Sequence, residues 1–267
     1  MKPLLLTLLC LAAGETITIA QDTVYFDKIW HETAPKSAAY YRLKTRNGAG
    51  WQVSDHWLNG KTQMTGNYLD DSCKIYQGEF IWYDTTGNPN HRCMYDKGKL
   101  NGPEAYFYPN GHLKMTGTNK NGEMDGGWVG YYPSGKISGK ANYKGGKQIV
   151  GTFYEESGAP NKDVKEFYRE SEYPGGVNRW LYFLNKNLRY PDSAYVYEIQ
   201  GTVIIDFIIS KEGRPHNFHV SQSVNPYLDA EALRVARAMP DWIPAIYAGI
   251  PSESYKRQPI VFQLQAQ

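Results

Sequence analysis

Cysteine is scarce in this sequence. Only Cys10, Cys73 and Cys93 occur in 267 residues, and no CxxC pair is present, so neither a dithiol redox motif nor a zinc knuckle is supported. An excess of either charge is also missing. Lys and Arg number 29 against 27 Asp and Glu, a net +2, too balanced for a nucleic-acid or anionic-membrane partner. No apolar run reaches the ~20 residues that span a bilayer, and there is no long Pro-rich spacer. At 41% hydrophobic and 21% charged, the chain is neither a disordered tail nor a coiled coil. What is abundant is tyrosine, 22 residues, together with 26 glycines. That pairing favours short strands separated by tight turns, and the length suggests about two domains at ~150 residues each.

The longest apolar run is Leu4 to Ala13, behind Met1-Lys2 and before Gly14-Glu15. It fits the hydrophobic region of a secretory signal peptide over 1–20, with Thr18-Ile19-Ala20 before Gln21 as the cleavage site. An uncleaved inner-membrane anchor is the alternative. A lipid anchor on Cys10 fits less well, because Leu9 stands where a small residue is expected. The mature protein is therefore expected to be exported, with no membrane span after cleavage. In an oxidising compartment Cys73 and Cys93 become a candidate disulfide, with two buried free thiols as the alternative.

The middle of the chain repeats. Tyr83-Asp84-Thr85-Thr86-Gly87 recurs as Phe107-Tyr108-Pro109-Asn110-Gly111 and Tyr131-Tyr132-Pro133-Ser134-Gly135, with the glycines 24 residues apart. Gly60 precedes this comb and Gly158 continues it. Two more glycine combs, at 98/122/146 and 78/102/126, run in phase. Each unit predicts one β-hairpin with a Gly-closed turn, unable to bury its own face and stacked on its neighbours. Over about 50–160 the pattern resembles degenerate MORN-type repeats, which implies a spacer or an interaction surface. Residues 21–49 are an N-terminal segment, and 161–171 read as a linker, introduced by Gly158-Ala159-Pro160-Asn161-Lys162-Asp163.

The texture changes after Val164. Pro174-Gly175-Gly176 opens a helical pattern through Trp180, Leu181, Leu184 and Leu188, which must end near Tyr190 because Pro191 follows. A short helix after Pro191, a strong strand 201–210, a returning strand 218–223, a helix 229–239 capped by Asp229, and a closing strand 258–264 complete an α+β module. Asn187-Leu188-Arg189-Tyr190-Pro191, Gln200-Gly201-Thr202-Val203, Asp229-Ala230-Glu231-Ala232-Leu233, Met239-Pro240-Asp241-Trp242-Ile243-Pro244 and Pro259-Ile260-Val261-Phe262 stand in that order. Together they resemble the C-terminal domain of TonB-type energy transducers over 172–267, with Pro174-Gly175-Gly176 similar to a Bacteroidetes-type subgroup. The predicted fold is thus mixed: an all-β array of hairpins followed by a small α+β module.

The resemblance implies a Gram-negative periplasmic module that grips an extended segment of a TonB-dependent outer-membrane transporter. It implies no enzyme and no cofactor. A homodimer is left open, as is energy transduction, since transducers of the family carry a membrane helix and a Pro-rich spacer. The closing strand follows a helix and ends the chain, so it is expected at a sheet edge, where its unpaired backbone groups accept a peptide. The candidate partner-binding residues are Tyr190, Pro191, Arg257, Gln258, Ile260, Val261, Phe262, Gln263 and Leu264. Tyr190-Pro191 matches the family's partner-contacting pair, and Arg257 is suited to an acidic side chain. The competing reading is a structural envelope protein that binds through its repeat sheet, and an exported enzyme stands third. Other chemistry finds no support. Gly135 to Lys140 is one residue short of a phosphate-binding loop, His216 and His219 have no third ligand nearby, and Ser221 and Ser223 lack elbow glycines.

Overall fold

The computed structural model describes residues 21–264. The apolar run, Cys10 and the expected cleavage site at Ala20 lie outside the described residues. Among the described residues no helix is long and apolar enough to cross a membrane. The chain divides into two units: residues up to 136 with 142–149, and residues 137–141 with the chain from 150 onward.

Strands in chain order build the repeat region: β1 (Gln21–Phe26), β2 (Tyr40–Asn47), β3 (Gly50–Trp57), β4 (Thr62–Tyr68), β5 (Tyr76–Tyr83), β6 (Pro89–Asp96), β7 (Lys99–Phe107), β8 (Leu113–Lys120), β9 (Glu123–Met124), β10 (Gly126–Tyr131), β11 (Ile137–Lys144) and β12 (Lys147–Phe153). They form one sheet in that order, except that β9 pairs with β8 off the main path. The same turn closes successive hairpins. Trp57 N–H donates to Lys61 O while Gly60 N–H donates to Trp57 O. Asp84/Asn88/Gly87, Tyr108/His112/Gly111 and Tyr132/Lys136/Gly135 repeat both bonds, and Glu155/Ala159/Gly158 repeats them in the second unit. This is a three-residue loop closed by a bulge glycine, which must take positive φ; Gly111 has φ +80°. Neighbouring hairpins are tied by the intervening comb, where Gly98 N–H reaches Tyr76 O and Gly122 N–H reaches Leu100 O, both at 2.8 Å.

The sheet starts well before residue 50. β1 and β2 pair in register from Gln21↔Thr45 to Phe26↔Tyr40, and β2 turns into β3 through a two-residue loop at Gly48, φ +59°. Both strands of the segment 21–49 therefore belong to the sheet, joined by a connection that contains the single 3-10 turn Pro35–Ser37. Val53, Met64, Tyr68, Phe80 and Cys93 make one core, ringed by Trp51, Tyr76, Trp82 and Tyr95. A ring fits on a strand only where the strand has no side chain beneath it. A Cβ on Gly66 would come within 2.2 Å of the Phe80 ring, and one on Gly117 within 2.2 Å of Trp128. Burial pushes the Cys93 thiol up to about 12. Cys73 sits on the β4–β5 loop at φ +54°, and both thiols are free.

The second unit contains β13 (Tyr168–Arg169), α1 (Gly176–Asn187), α2 (Asp192–Val196), β14 (Gly201–Ile209), β15 (Pro215–Gln222), α3 (Pro226–Arg237), β16 (Ala245–Tyr247), β17 (Ile250–Ser252) and β18 (Ser254–Phe262). The order β15–β14–β18 forms one sheet and β13–β16–β17 a smaller one. The inward face of β14, with Val203, Ile205, Phe207 and Ile209, meets Leu228, Ala232 and Val235 of α3, and Trp180, Trp242, Ile260 and Phe262 complete the core. Burying each such side chain contributes roughly 1.5–3 kcal/mol.

Three expectations change here. Helix α3 starts at Pro226, not 229, because Asn225 caps it by accepting from Tyr227 N–H at 2.9 Å. Asp229 lies inside the helix instead, accepting from Val224 N–H and Ser223 Oγ. The closing strand runs from 254 to 262 rather than 258 to 264. Strands β13, β16 and β17 were not expected at all.

Candidate partner-binding edge

The register of β18 on β14 is regular, from Gly201↔Phe262 to Ile209↔Ser254. On its other side β18 has no neighbouring strand among the described residues, so it is an edge. Pro259 sets its phase. It pairs opposite Ile204 and has no N–H, so its nitrogen faces away from β14. Amide direction alternates along a strand, so Tyr255, Arg257 and Val261 also direct N–H toward the open side. The free edge therefore offers three donors, with a gap at Pro259.

Side chains alternate in the same rhythm. Tyr255 is 84% exposed and Val261 58%, whereas Ile260 and Phe262 are 0% and 3% exposed. Ile260 and Phe262 are therefore core residues, and only their backbone is near the edge. Gln258 is half-buried, its amide 3.4 Å from Pro259 O. Gln263 and Leu264 lie beyond the strand, where Leu264 N–H donates to Gln200 Oε1 at 2.8 Å.

Arg257 is already engaged. Its Nε and Nη2 donate to the two Asp206 carboxylate oxygens at 3.0 and 2.9 Å across the strand pair, and these bonds hold the Asp206 carboxyl below its ordinary value. Tyr190 is engaged too. Its hydroxyl donates to Ile199 O at 2.6 Å and its ring stands edge-on to Phe262 at 5.9 Å, so it braces the end of β18. Pro191 is the residue that starts α2, at φ −64°. The opposite edge, β15, is broken by register shifts and by Asn217 at φ +57°, features that blunt an edge against pairing. His216 on β15 faces Glu253 at 3.9 Å, while His219 lies near Asn217 O. Sequence reasoning missed Tyr255 and the role of Pro259. A proline inside an otherwise strand-like run was the available signal for an edge.

The repeat sheet carries a second constellation. Trp82, His91 and Tyr106 stand opposite one another on β5, β6 and β7 and stack with centroids 4.9 and 4.0 Å apart. Glu104, 5% exposed, receives His91 Nε2 at 2.7 Å, Tyr106 OH at 2.9 Å and Asn119 Nδ2. Burial pushes its carboxyl up, but these bonds outweigh burial and hold it below its ordinary value. Arg42 donates from Nε and Nη2 to Asp55 at 2.6 and 2.8 Å, between the rings of Phe26, Trp30 and Tyr68.

Residues 186–264 match the family model described as the Gram-negative bacterial TonB protein C-terminal. No curated protein matches the chain. Among solved structures it is similar to a chain of the crystal structure of a GtfA/B complex bound to UDP and GlcNAc. That similarity has 10% identity and a TM-score of 0.20, and covers 56% of this chain but only 27% of that one. At that score the likeness carries no argument.

Proposed function

We propose that this is a non-enzymatic protein of the Gram-negative cell envelope, exported to the periplasm. Its C-terminal module pairs the open edge of β18 with an extended segment of an outer-membrane transporter. The observation that carries this reading is that β18, inside the region matching the TonB C-terminal model, is a regular edge strand with three outward donors. Donors at Tyr255, Arg257 and Val261 would supply affinity, since each backbone bond gained on strand addition contributes roughly 0.5–1.5 kcal/mol. Exposed Tyr255 and Val261 would set register. Arg257, held by Asp206, would act through its place in the strand rather than as a free cation. The hairpin sheet, which we read as MORN-type, serves as a stiff spacer. A second reading, an interaction protein using the repeat sheet, is favoured only by the stacked Trp82–His91–Tyr106 row.

The full chain should capture an outer-membrane transporter from envelope extracts, and Val261→Pro should lose it. Capture unchanged by Val261→Pro in a folded chain would move the site off β18.

A further inference from the structure

A cleft of about 350 Å³ opens beside α1, away from any residue assigned to the β18 edge. Its lining comes from Tyr173 and Pro174 before the helix, Pro240 after α3, and one stripe of α1. That stripe is Arg179, Tyr182, Phe183, Lys186 and Asn187, whose spacing of three and four residues puts all five on one helix face. The floor is rigid. Tyr173 is 8% exposed and packs edge-on against Trp180 and Trp242, with centroids at 5.4 and 5.6 Å, and Phe183 stacks on Trp180 at 5.8 Å. Asn187 spends its amide on Phe183 O at 2.8 Å. The stem of Arg179 lies over Gly175, where a Cβ would come within 2.5 Å of its Cγ.

The charge of this cleft is one-sided. Arg179 and Lys186 are its two ionic groups, both cations, and no carboxylate lines it. Neither takes part in the ion pairs of the module, where Arg169, Arg234, Lys256 and Arg257 each have an acidic partner. Arg179 and Lys186 thus place two cations beside aromatic walls, with no carboxylate in the cleft to pair them. Three rings and two prolines favour a flat or ring-bearing side chain, and aromatic grooves of this kind hold extended peptides. The volume is at the small end of ligand pockets, enough for one or two side chains.

We propose that this cleft is a second recognition site, which takes an acidic–aromatic step of an extended partner polypeptide. The partner's ring lies against Tyr173, Tyr182 and Phe183, and its neighbouring carboxylate lies on Arg179 and Lys186. The site uses no backbone pairing and is independent of the β18 edge.

The test uses the full chain, calorimetry and three probes: acetyl-Asp-Phe-Asp-Phe-amide, the same peptide with Asn for Asp, and the same peptide with Ala for Phe. The acidic aromatic peptide should bind about tenfold more tightly than either control, and more weakly as salt rises. The double variant Arg179→Gln, Lys186→Gln should lose about tenfold in affinity. Both side chains are exposed, and an unchanged thermal unfolding curve checks that the variant is folded. Val261→Pro should bind the peptide as the wild type does. Equal binding of the acidic and Asn peptides, or equal binding by the double variant, would overturn the proposal. So would loss of peptide binding in Val261→Pro, which would place the peptide on β18. Anionic phospholipid vesicles bound through Arg179 and Lys186 with no peptide binding would overturn it in favour of a membrane surface.

Discussion

A proline scan of two adjacent positions on β18 tests the phase that Pro259 imposes. Val261 stands opposite Thr202 and Ile260 opposite Val203. If Pro259 turns its nitrogen to the open side, Val261 N–H also faces outward and Ile260 N–H bonds β14. Val261→Pro then breaks no ladder bond. It removes an exposed side chain, 58% accessible, and restricts φ at an already extended residue, so it should cost no more than about 1 kcal/mol. Ile260→Pro deletes a ladder bond beside the central strand and also empties a fully buried site filled by Ile260. Losing the ladder donor leaves a buried β14 acceptor unpaired, which costs about 1–3 kcal/mol, and exchanging a buried isoleucine for a smaller ring adds about 1–3 kcal/mol. Denaturant unfolding followed by tryptophan fluorescence reads both variants, since Trp180 and Trp242 belong to the same core. The expected gap is about 1–5 kcal/mol, a large share of what a marginal domain possesses. Equal destabilisation, or a worse effect at Val261, would refute the assigned phase and with it the donors at Tyr255, Arg257 and Val261.

Two further outcomes follow from the repeat sheet. Gly117→Ala places a Cβ about where the Trp128 ring lies and should destabilise the sheet by about 1–3 kcal/mol, seen as a lower thermal midpoint, whereas no loss would mean that Trp128 does not sit on Gly117. Glu104 has a folded-state pKa below its unfolded value, so its bonds to His91, Tyr106 and Asn119 contribute stability above about pH 5, and that contribution is lost as pH falls through the lowered native value. Glu104→Gln should flatten this acid limb in unfolding curves measured from pH 6 to 3, and an unchanged limb would show that other carboxylates govern it.

Turns were the most legible feature in the sequence. Pro109-Asn110-Gly111 and Pro133-Ser134-Gly135 carry the chemistry of the loop they form, because a three-residue hairpin with a bulge glycine is a local object. The same logic holds at Asn47-Gly48, which does close a hairpin, though no repeat around the dipeptide reinforces its signal. The helix start at Asn225-Pro226 was also written locally, as a capping side chain followed by proline in the first turn. Asp229 competes with that signal in the sequence because it stands nearer the apolar residues of α3. The short strands β16 and β17 have no periodic signal over three residues each. They exist because the turn at Ala248-Gly249, with both residues at positive φ, brings them together, and Ala248 O accepts from Ser138 Oγ at 2.6 Å.

The candidate edge shows where a sequence-level list of site residues must fail. Arg257, Gln258, Ile260, Val261, Phe262, Gln263 and Leu264 read from the sequence as one contact surface, but a strand divides any such run by parity. Even positions, Gln258, Ile260 and Phe262, turn inward, and Ile260 and Phe262 complete a core shared with α1, α2, α3 and β14. Odd positions, Tyr255, Arg257, Pro259 and Val261, turn outward, and all but Pro259 carry open backbone donors. Parity cannot be assigned from composition alone here, since Val261 is as apolar as Ile260 and Arg257 as polar as Gln258. One residue breaks the tie. Pro259 tolerates only the orientation in which its nitrogen has no partner, so it fixes the amide direction of every other residue in β18. The same proline removes a donor from the middle of the edge. A peptide paired there could still donate to Pro259 C=O but would receive no N–H from that position, and its own acceptor opposite Pro259 would stay exposed to water. That gap limits the length of uninterrupted pairing and keeps the nine-residue edge from templating its own aggregation.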